Sequence, residues 1–525
     1  MTRGKSSRSQ AEARGGARWW VAGGAVAIAA ACAALALGLL ELPPSSDTEP
    51  GDAVQLPEDT ASPERVAATG RESVDTTSVS ITDTTGAQVA RDNKTARISP
   101  PAPKIASKLA LFYAALSSLE GGSTAAPVTI LHLGDSHIAS DRITGEVRRL
   151  MQARFGDGGR GLMMPGFPFP YYKAPGFTFE KTGKWTAANS LNEDGAYGIT
   201  GVSLTGTGAD AVLKLASTSG PFALPEVSLL ASPGGGHAVI SAGSGSQQVA
   251  TAGDSRSVLR VKLPGNASSL AVKVVGDGPV TVLGWSVASG RPGVRYVNLG
   301  IPSASALTTR RFDRGLAASD IAALAPKLVV LGYGTNEGFN DDLDFVAYEK
   351  EYVRLIELVK AAAPDATLLI LGPTDGTRLP RFVKGDARAA APCRPLGGQE
   401  REAYNSLLAR EDGSLARWHE PPELAAVRSL LARIAGRYGA TYWDLSAVMG
   451  GPCSIDRWAK GDPPLALPDH VHLSDEGSRR VGRAIYDALI RGYDRYREQA
   501  DAGGSFGAGD IAATAETAPE RVAGP

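Results

Sequence analysis

Val128-Thr-Ile-Leu-His-Leu-Gly-Asp-Ser-His-Ile-Ala-Ser140 is the stretch that decides the fold. It starts apolar and β-branched, the pattern of a strand buried on both faces of a parallel sheet. It breaks at Gly134-Asp135-Ser136-His137. A helix is then expected over 141–155, with Ile143, Val147, Leu150 and Met151 on one face. A serine at the C-terminal end of a first strand, just before a helix, stands where open α/β sheets place their chemistry. Helix N-terminal amides at such a point face developing negative charge. The same residues also suit a plainer role, with Asp135 or Ser136 capping the helix. The far end of the chain weighs between the two.

There Pro468-Asp-His-Val-His-Leu-Ser474 precedes the last expected helix. At a separation of three on a short turn, the Asp469 carboxylate can hold Nδ1 of His472 and leave Nε2 free to take a proton from a serine. His470 competes as the base, but its side chain is expected to face away from that of His472. An Asp-x-x-His before a C-terminal helix, together with Gly-Asp-Ser after the first strand, favours chemistry over capping.

Between these ends the pattern changes twice. From about residue 156 short β-runs follow one another at 197–204, 211–215, 226–230, 238–241, 258–261, 270–275 and 280–287, most of them separated by turn residues. That spacing predicts a β-sandwich, inserted after the first helix of the α/β unit. Further strands are expected at 294–300, 327–333, 367–372 and 441–445. Helices are expected at 345–362 and 424–438, and a last one from Ser474, its cap, to about 497. Alternating strands and helices predict a doubly wound parallel sheet, so the fold class is α/β with an inserted β-sandwich.

Composition bounds the rest. A chain of 525 residues exceeds one ordinary domain. A formal net charge of −1 argues for no nucleic-acid partner. The 62 glycines and 34 prolines have no collagen-like period, which leaves loops and turns. Residues 1–18 are basic and are expected to stay cytoplasmic. From Trp19 to Leu40 there is no charge, about the 20 residues a helix needs to cross a bilayer. An uncleaved signal anchor over 19–41 is therefore expected, with the rest of the chain in the periplasm or at the cell surface. Ala29-Ala30-Ala31-Cys32 faintly suggests a lipoprotein site, but the apolar run continues past it. Residues 42–103, rich in Pro, Ser, Thr, Asp and Gly, are expected to be a disordered linker spanning roughly 45 Å as a coil. The Gly/Ala/Glu-rich tail over 499–525 is expected to be disordered too.

The three cysteines match no zinc spacing. Cys393 and Cys453 both follow proline, in loops after the fourth and fifth strands, and are expected to form a disulfide outside the cytoplasm.

Two more strand ends complete a set. The third strand ends in Leu331-Gly-Tyr-Gly-Thr-Asn-Glu337, where the Asn336 amide is either an oxyanion donor or a turn residue. The second ends in Asn298-Leu-Gly-Ile-Pro-Ser303, whose backbone amides are expected to point into the cleft. Four such motifs in this order resemble the SGNH (GDSL-type) hydrolase superfamily. The resemblance implies a flavodoxin-like sheet over 104–162 and 291–498, with the insert at 163–290. It implies a Ser136–His472–Asp469 triad. The implied oxyanion hole comprises the amide of Ser136, that of Ser303 or Gly300, and Asn336. No metal or cofactor is implied. His137 stands where the family name has Leu, and Glu337 where Asp is usual; neither departure removes a catalytic group. More narrowly, Phe155-Gly-Asp-Gly-Gly-Arg-Gly161, Tyr333-Gly-Thr-Asn-Glu337 and Trp443-Asp-Leu with Met449-Gly-Gly451 look like bacterial peptidoglycan O-acetylesterases, which carry a carbohydrate-binding-module-like insert. That resemblance implies an O-acetylated polysaccharide, peptidoglycan first of all, as partner and substrate.

Three rivals stand beside this reading. Asp135-x-His137 with Asp469, His470 and His472 resembles part of a metallophosphoesterase site, but Gly-Asp-x-x-Asp and Gly-Asn-His are missing. An acyltransferase would use the same triad on a sugar acceptor. A catalytically inactive glycan-binding protein is the third.

Overall fold

The structure is a computed structural model and describes residues 107–169, 172–385 and 391–502. The basic segment, the expected anchor, the linker and the tail beyond 502 lie outside these residues. Among the described residues no helix is long and apolar enough to cross a membrane.

The central sheet has five parallel strands: β1 (Val128–Gly134), β2 (Val294–Gly300), β3 (Leu328–Gly332), β4 (Thr367–Gly372) and β5 (Thr441–Asp444). Their order is β2-β1-β3-β4-β5, the flavodoxin-like arrangement. Every residue of β1 is buried, which is why it reads as one unbroken apolar run. The strand's two-residue period splits it between two layers. Val128 and Ile130 join the core under α1 (Ala110–Glu120), α3 (Arg142–Phe155) and α8 (Asp475–Asp501). Leu131 and Leu133 join the core under α4 (Arg314–Leu324), α6 (Phe345–Ala362) and α7 (Pro422–Tyr438). Two four-residue helices, α2 (Ser136–Ala139) and α5 (Thr335–Gly338), sit at the ends of β1 and β3. α8 starts where its cap requires: Ser474 Oγ accepts from Gly477 N, and Asp475 and Glu476 occupy the first turn. It runs to Asp501, three residues into the expected tail.

The insert is a sandwich of two antiparallel sheets. One stacks 257–262, 222–231, 280–288, 202–206 and 185–189 in that order, with short additions at 161–163 and 266–267. The other runs 177–182, 212–217, 269–274, 237–242, 245–250. Gly161–Met163 pairs with Trp285–Val287, so the sandwich begins at Gly161, two residues before the expected boundary. Its core, with Met163, Val227 and Trp285, is continuous with Leu131 and Val297 of the parallel sheet. An ion pair fastens the two units: Arg260 Nη2 donates to Asp320 Oδ1 of α4 at 2.7 Å, and Asp320 Oδ2 accepts from Ile199 N at 3.0 Å.

Among the described residues, the stretch between β4 and α7 is mostly irregular, with short helices at 398–402 and 404–409. It folds over the C-terminal edge of the sheet and is held there by the Cys393–Cys453 disulfide, with Cα atoms 5.8 Å apart.

Candidate active site

The site is built from the C-terminal ends of β1, β2 and β3 and the loop before α8. Ser136 is the first residue of α2, directly after β1, and Asp135 caps that helix by accepting from His137 N at 3.0 Å. Ser136 Oγ lies 3.0 Å from His472 Nε2. His472 Nδ1 lies 2.6 Å from Asp469 Oδ2. The other carboxylate oxygen of Asp469 accepts the backbone N–H groups of Val471 and His472, each at 2.9 Å. Burial pushes the Asp469 carboxyl up, but the hydrogen bonds from the His472 ring and from those two amides outweigh it and bring the pKa to about 2. It is therefore an ionised acceptor at neutral pH and fixes the His472 tautomer with Nε2 turned to the serine. The side chains of His472 and Asp469 are 43% and 47% exposed, so the triad opens directly to solvent.

His470 faces elsewhere. Its backbone is left-handed, with φ +57°. Its buried ring lies on Trp418, and its Nδ1 is 3.3 Å from Thr377 Oγ1. Among the described residues no group of three or more His, Cys, Asp or Glu side chains converges to hold a metal ion, so the metallophosphoesterase arrangement is not formed.

The oxyanion candidates separate. Gly300 N–H donates to Asn298 Oδ1 at 2.9 Å, which removes it as an oxyanion donor. Its role is spatial: a Cβ there would stand 2.2 Å from Ala139 N, inside the helix that carries Ser136. Ser303 is exposed, has φ +63°, and its N–H meets no acceptor among the described residues. The Ser136 N–H is likewise uncommitted among them. Asn336 Nδ2 donates one hydrogen to Ala304 O at 2.7 Å, which leaves the second for another acceptor.

Further side chains hold these elements in place, and for Asp141 no motif in the sequence marked the role. Glu337 Oε1 accepts from Ala306 N at 2.8 Å, so two neighbouring side chains of α5 grip the segment after Ser303. Burial pushes the Glu337 carboxyl up to about 7. Asp141 accepts from Arg148, Arg160 and Thr144. Burial pushes its carboxyl up, but Arg148 and Arg160 outweigh that and hold it well below the usual carboxylate range. Asn298 Nδ2 reaches both Asp141 Oδ1 and Ile138 O, tying β2 to the serine helix.

The profile of the GDSL-like Lipase/Acylhydrolase family matches residues 269–480. This α/β fold is that of the SGNH hydrolases. The matched stretch holds the asparagine and histidine motifs of the SGNH domain. It begins inside the insert and so excludes Ser136, which the sandwich separates from the rest of the family pattern. Comparison with curated proteins finds no match. Among solved structures, a peptidoglycan O-acetylesterase is 23% identical with a TM-score of 0.59, over 75% of this chain and 99% of its own. At that identity the likeness concerns the fold, sandwich included. An acetyl xylan esterase is 16% identical with a TM-score of 0.25, over 38% of this chain and 82% of its own. A family two carbohydrate esterase from Clostridium thermocellum is 12% identical with a TM-score of 0.23, over 64% and 100%. Superpositions that poor carry no weight.

Proposed function

We propose that this chain is a serine esterase that removes O-acetyl groups from an envelope polysaccharide, with peptidoglycan as the substrate. The observation that carries the chemistry is the line from Ser136 Oγ through His472 to Asp469, at 3.0 and 2.6 Å. In this reading Ser136 Oγ attacks the ester carbonyl while His472 Nε2 takes its proton, and Asp469 stabilises the imidazolium. The N–H groups of Ser136 and Ser303 and the spare hydrogen of Asn336 receive the oxyanion. The alkoxide of the sugar leaves with the proton from His472, and water attacks the acetyl-enzyme with His472 again as base. Two observations support a polymeric substrate. The triad lies open at the surface, and the structure that resembles this one over 99% of its own length is a peptidoglycan O-acetylesterase. The uncharged run from Trp19 to Leu40 supports a single-pass anchor that holds the catalytic domain outside the cytoplasm.

The deciding experiment is acetate release by the full-length protein from O-acetylated peptidoglycan and from acetylated xylan, with a chromogenic acetyl ester as control. Preferential release from peptidoglycan is expected. Turnover of xylan alone would move the substrate, and no turnover of any of the three would remove the esterase. Membrane fractionation before and after deletion of 19–41 tests the anchor.

A further inference from the structure

A cavity of about 310 Å³ lies where the sandwich meets α3, and the mechanism above makes no use of it. That volume is at the lower end for small-ligand sites. Arg148 of α3, Arg160, Arg291 and Asp157 supply its charged lining. Phe177 and Phe222, from two strands of the sandwich, supply an apolar wall, with ring centroids 6.2 Å apart.

The charges do not balance. Arg148 and Arg160 share one carboxylate. Asp141 accepts from Arg148 Nη1 and Nη2 at 3.0 and 2.7 Å and from Arg160 Nη1 at 2.7 Å. Its Oδ1 also takes Asn298 and Thr144, so it has little left to give. Arg291 is exposed and makes no ion pair among the described residues. Asp157 Oδ1 accepts from Gly159 N at 2.8 Å. Three guanidinium groups thus stand against two carboxylates, which leaves one positive charge over.

The deficit is greatest at Arg160, which is 7% exposed. Its Nε and Nη2 are buried and have no hydrogen-bond partner among the described residues. These two atoms form the side-on fork of a guanidinium. In Arg149 the same pair holds both oxygens of Glu146, at 2.9 and 2.8 Å. Burial and the Arg148 charge outweigh Asp141 and lower the Arg160 pKa. A buried guanidinium with idle donors is stabilised by an added anion.

We propose that this cavity is a subsite for a carboxylate of the wall glycan. Arg160, with Arg148 and Arg291, receives the carboxylate, and the carbon skeleton that carries it lies against Phe177 and Phe222. A surplus of one positive charge matches a singly charged group. That the carrier is a wall glycan rests on the esterase reading; the cavity and its charge do not. The carboxylate sits on the sugar or on an attached peptide, and the cavity takes either. The subsite is tied to the chemistry through Asp141, which stands between the serine helix α2 and α3.

The test is isothermal titration of the full-length protein with three probes. N-acetylmuramic acid carries a carboxylate on a sugar, N-acetylglucosamine is the same ring without it, and acetyl-D-alanine is a carboxylate without the ring. One or both of the carboxylates are expected to bind at least about tenfold more tightly than N-acetylglucosamine. The tighter of the two identifies the sugar or the peptide as the source. Arg291→Glu reverses a charge at the exposed mouth and is expected to abolish that preference at an unchanged thermal midpoint. Arg160→Lys keeps the charge but loses the fork, and is expected to weaken carboxylate binding by about tenfold. Equal binding of all three probes, or a carboxylate preference that survives Arg291→Glu, would overturn the subsite. Titration needs no turnover, so the two readings fail separately. A protein that binds the carboxylate but hydrolyses no ester keeps the subsite and loses the esterase. An active esterase indifferent to the carboxylate does the reverse.

Discussion

The indole of Trp418 lies flat on the imidazole of His470, with centroids 3.7 Å and planes 12° apart. Through this contact the irregular stretch before α7 grips the loop that carries Asp469 and His472. The backbone repeats it, with Thr377 N donating to His470 O at 2.9 Å. Cys393 is bridged to Trp418 and bonded to Cys453, so the disulfide bolts the clamp down. Replacing both cysteines by serine is expected to cost stability. Closing a loop with a sequence separation of 60 contributes about 4 kcal/mol in the chain-entropy model. A fall in the urea midpoint together with a lower kcat checks this; an unchanged midpoint would leave the clamp independent of the bridge.

Removing a member of the triad should abolish turnover without unfolding the protein. Ser136→Ala and His472→Ala are expected to lower kcat by as much as about 10⁶, with circular dichroism and the thermal midpoint near wild type. His470→Ala should behave in the opposite way, losing stability with its Trp418 stack while keeping far more activity. An inactive but stable His470→Ala would reverse the base assignment.

Asn336→Ala is expected to lower kcat by ~10²–10³, the loss typical of one oxyanion donor, with little change in KM. Because Asn336 also holds the Ala304 carbonyl, a rise in KM of similar size would assign it to shaping the Ser303 turn instead. Steady-state kinetics on a small acetyl ester separates the two.

Glu337 makes stability depend on pH. Its carboxyl is raised from 4.5 to about 7 by burial, so between those values the folded state binds the proton more tightly than the unfolded state. Stability is therefore full below about 4.5 and falls as pH rises through 7. A shift of that size corresponds to about 3 kcal/mol. Glu337→Gln imitates the neutral acid and should flatten this decline, which unfolding in urea at pH 5 and pH 8.5 would reveal. A parallel decline in both proteins would place the dependence elsewhere.

Legibility in the sequence followed burial and distance along the chain. β1, β2 and β4 are buried throughout or nearly so, and such strands write continuous apolar runs that one can read directly. The sandwich strands at 177–182 and 245–250 expose most of their side chains, and 185–189 buries none of its own; their polar residues hid them. Ser136, Asp469 and His472 were recognisable because each sits in a short motif at a strand or helix end. The choice between Gly300 and Ser303 was not, since it depends on where the Asn298 side chain turns. The stretch from 373 to 421 has no period to read. It is fixed by partners far along the chain: Asp375 with Ile455, Thr377 with His470, and Arg378 with Asp341.

The sandwich is spliced between the residues proposed as nucleophile and base, and Ser136 and His472 stand 336 positions apart. A chain under synthesis thus carries its serine for most of its length with nothing to deprotonate it. β2, against which the serine helix rests, comes only after the whole sandwich has been made, and the histidine loop comes later still, just before α8. On the proposed mechanism, hydrolytic competence arrives only once the histidine loop has been made, and every product of translation that ends before it lacks the base.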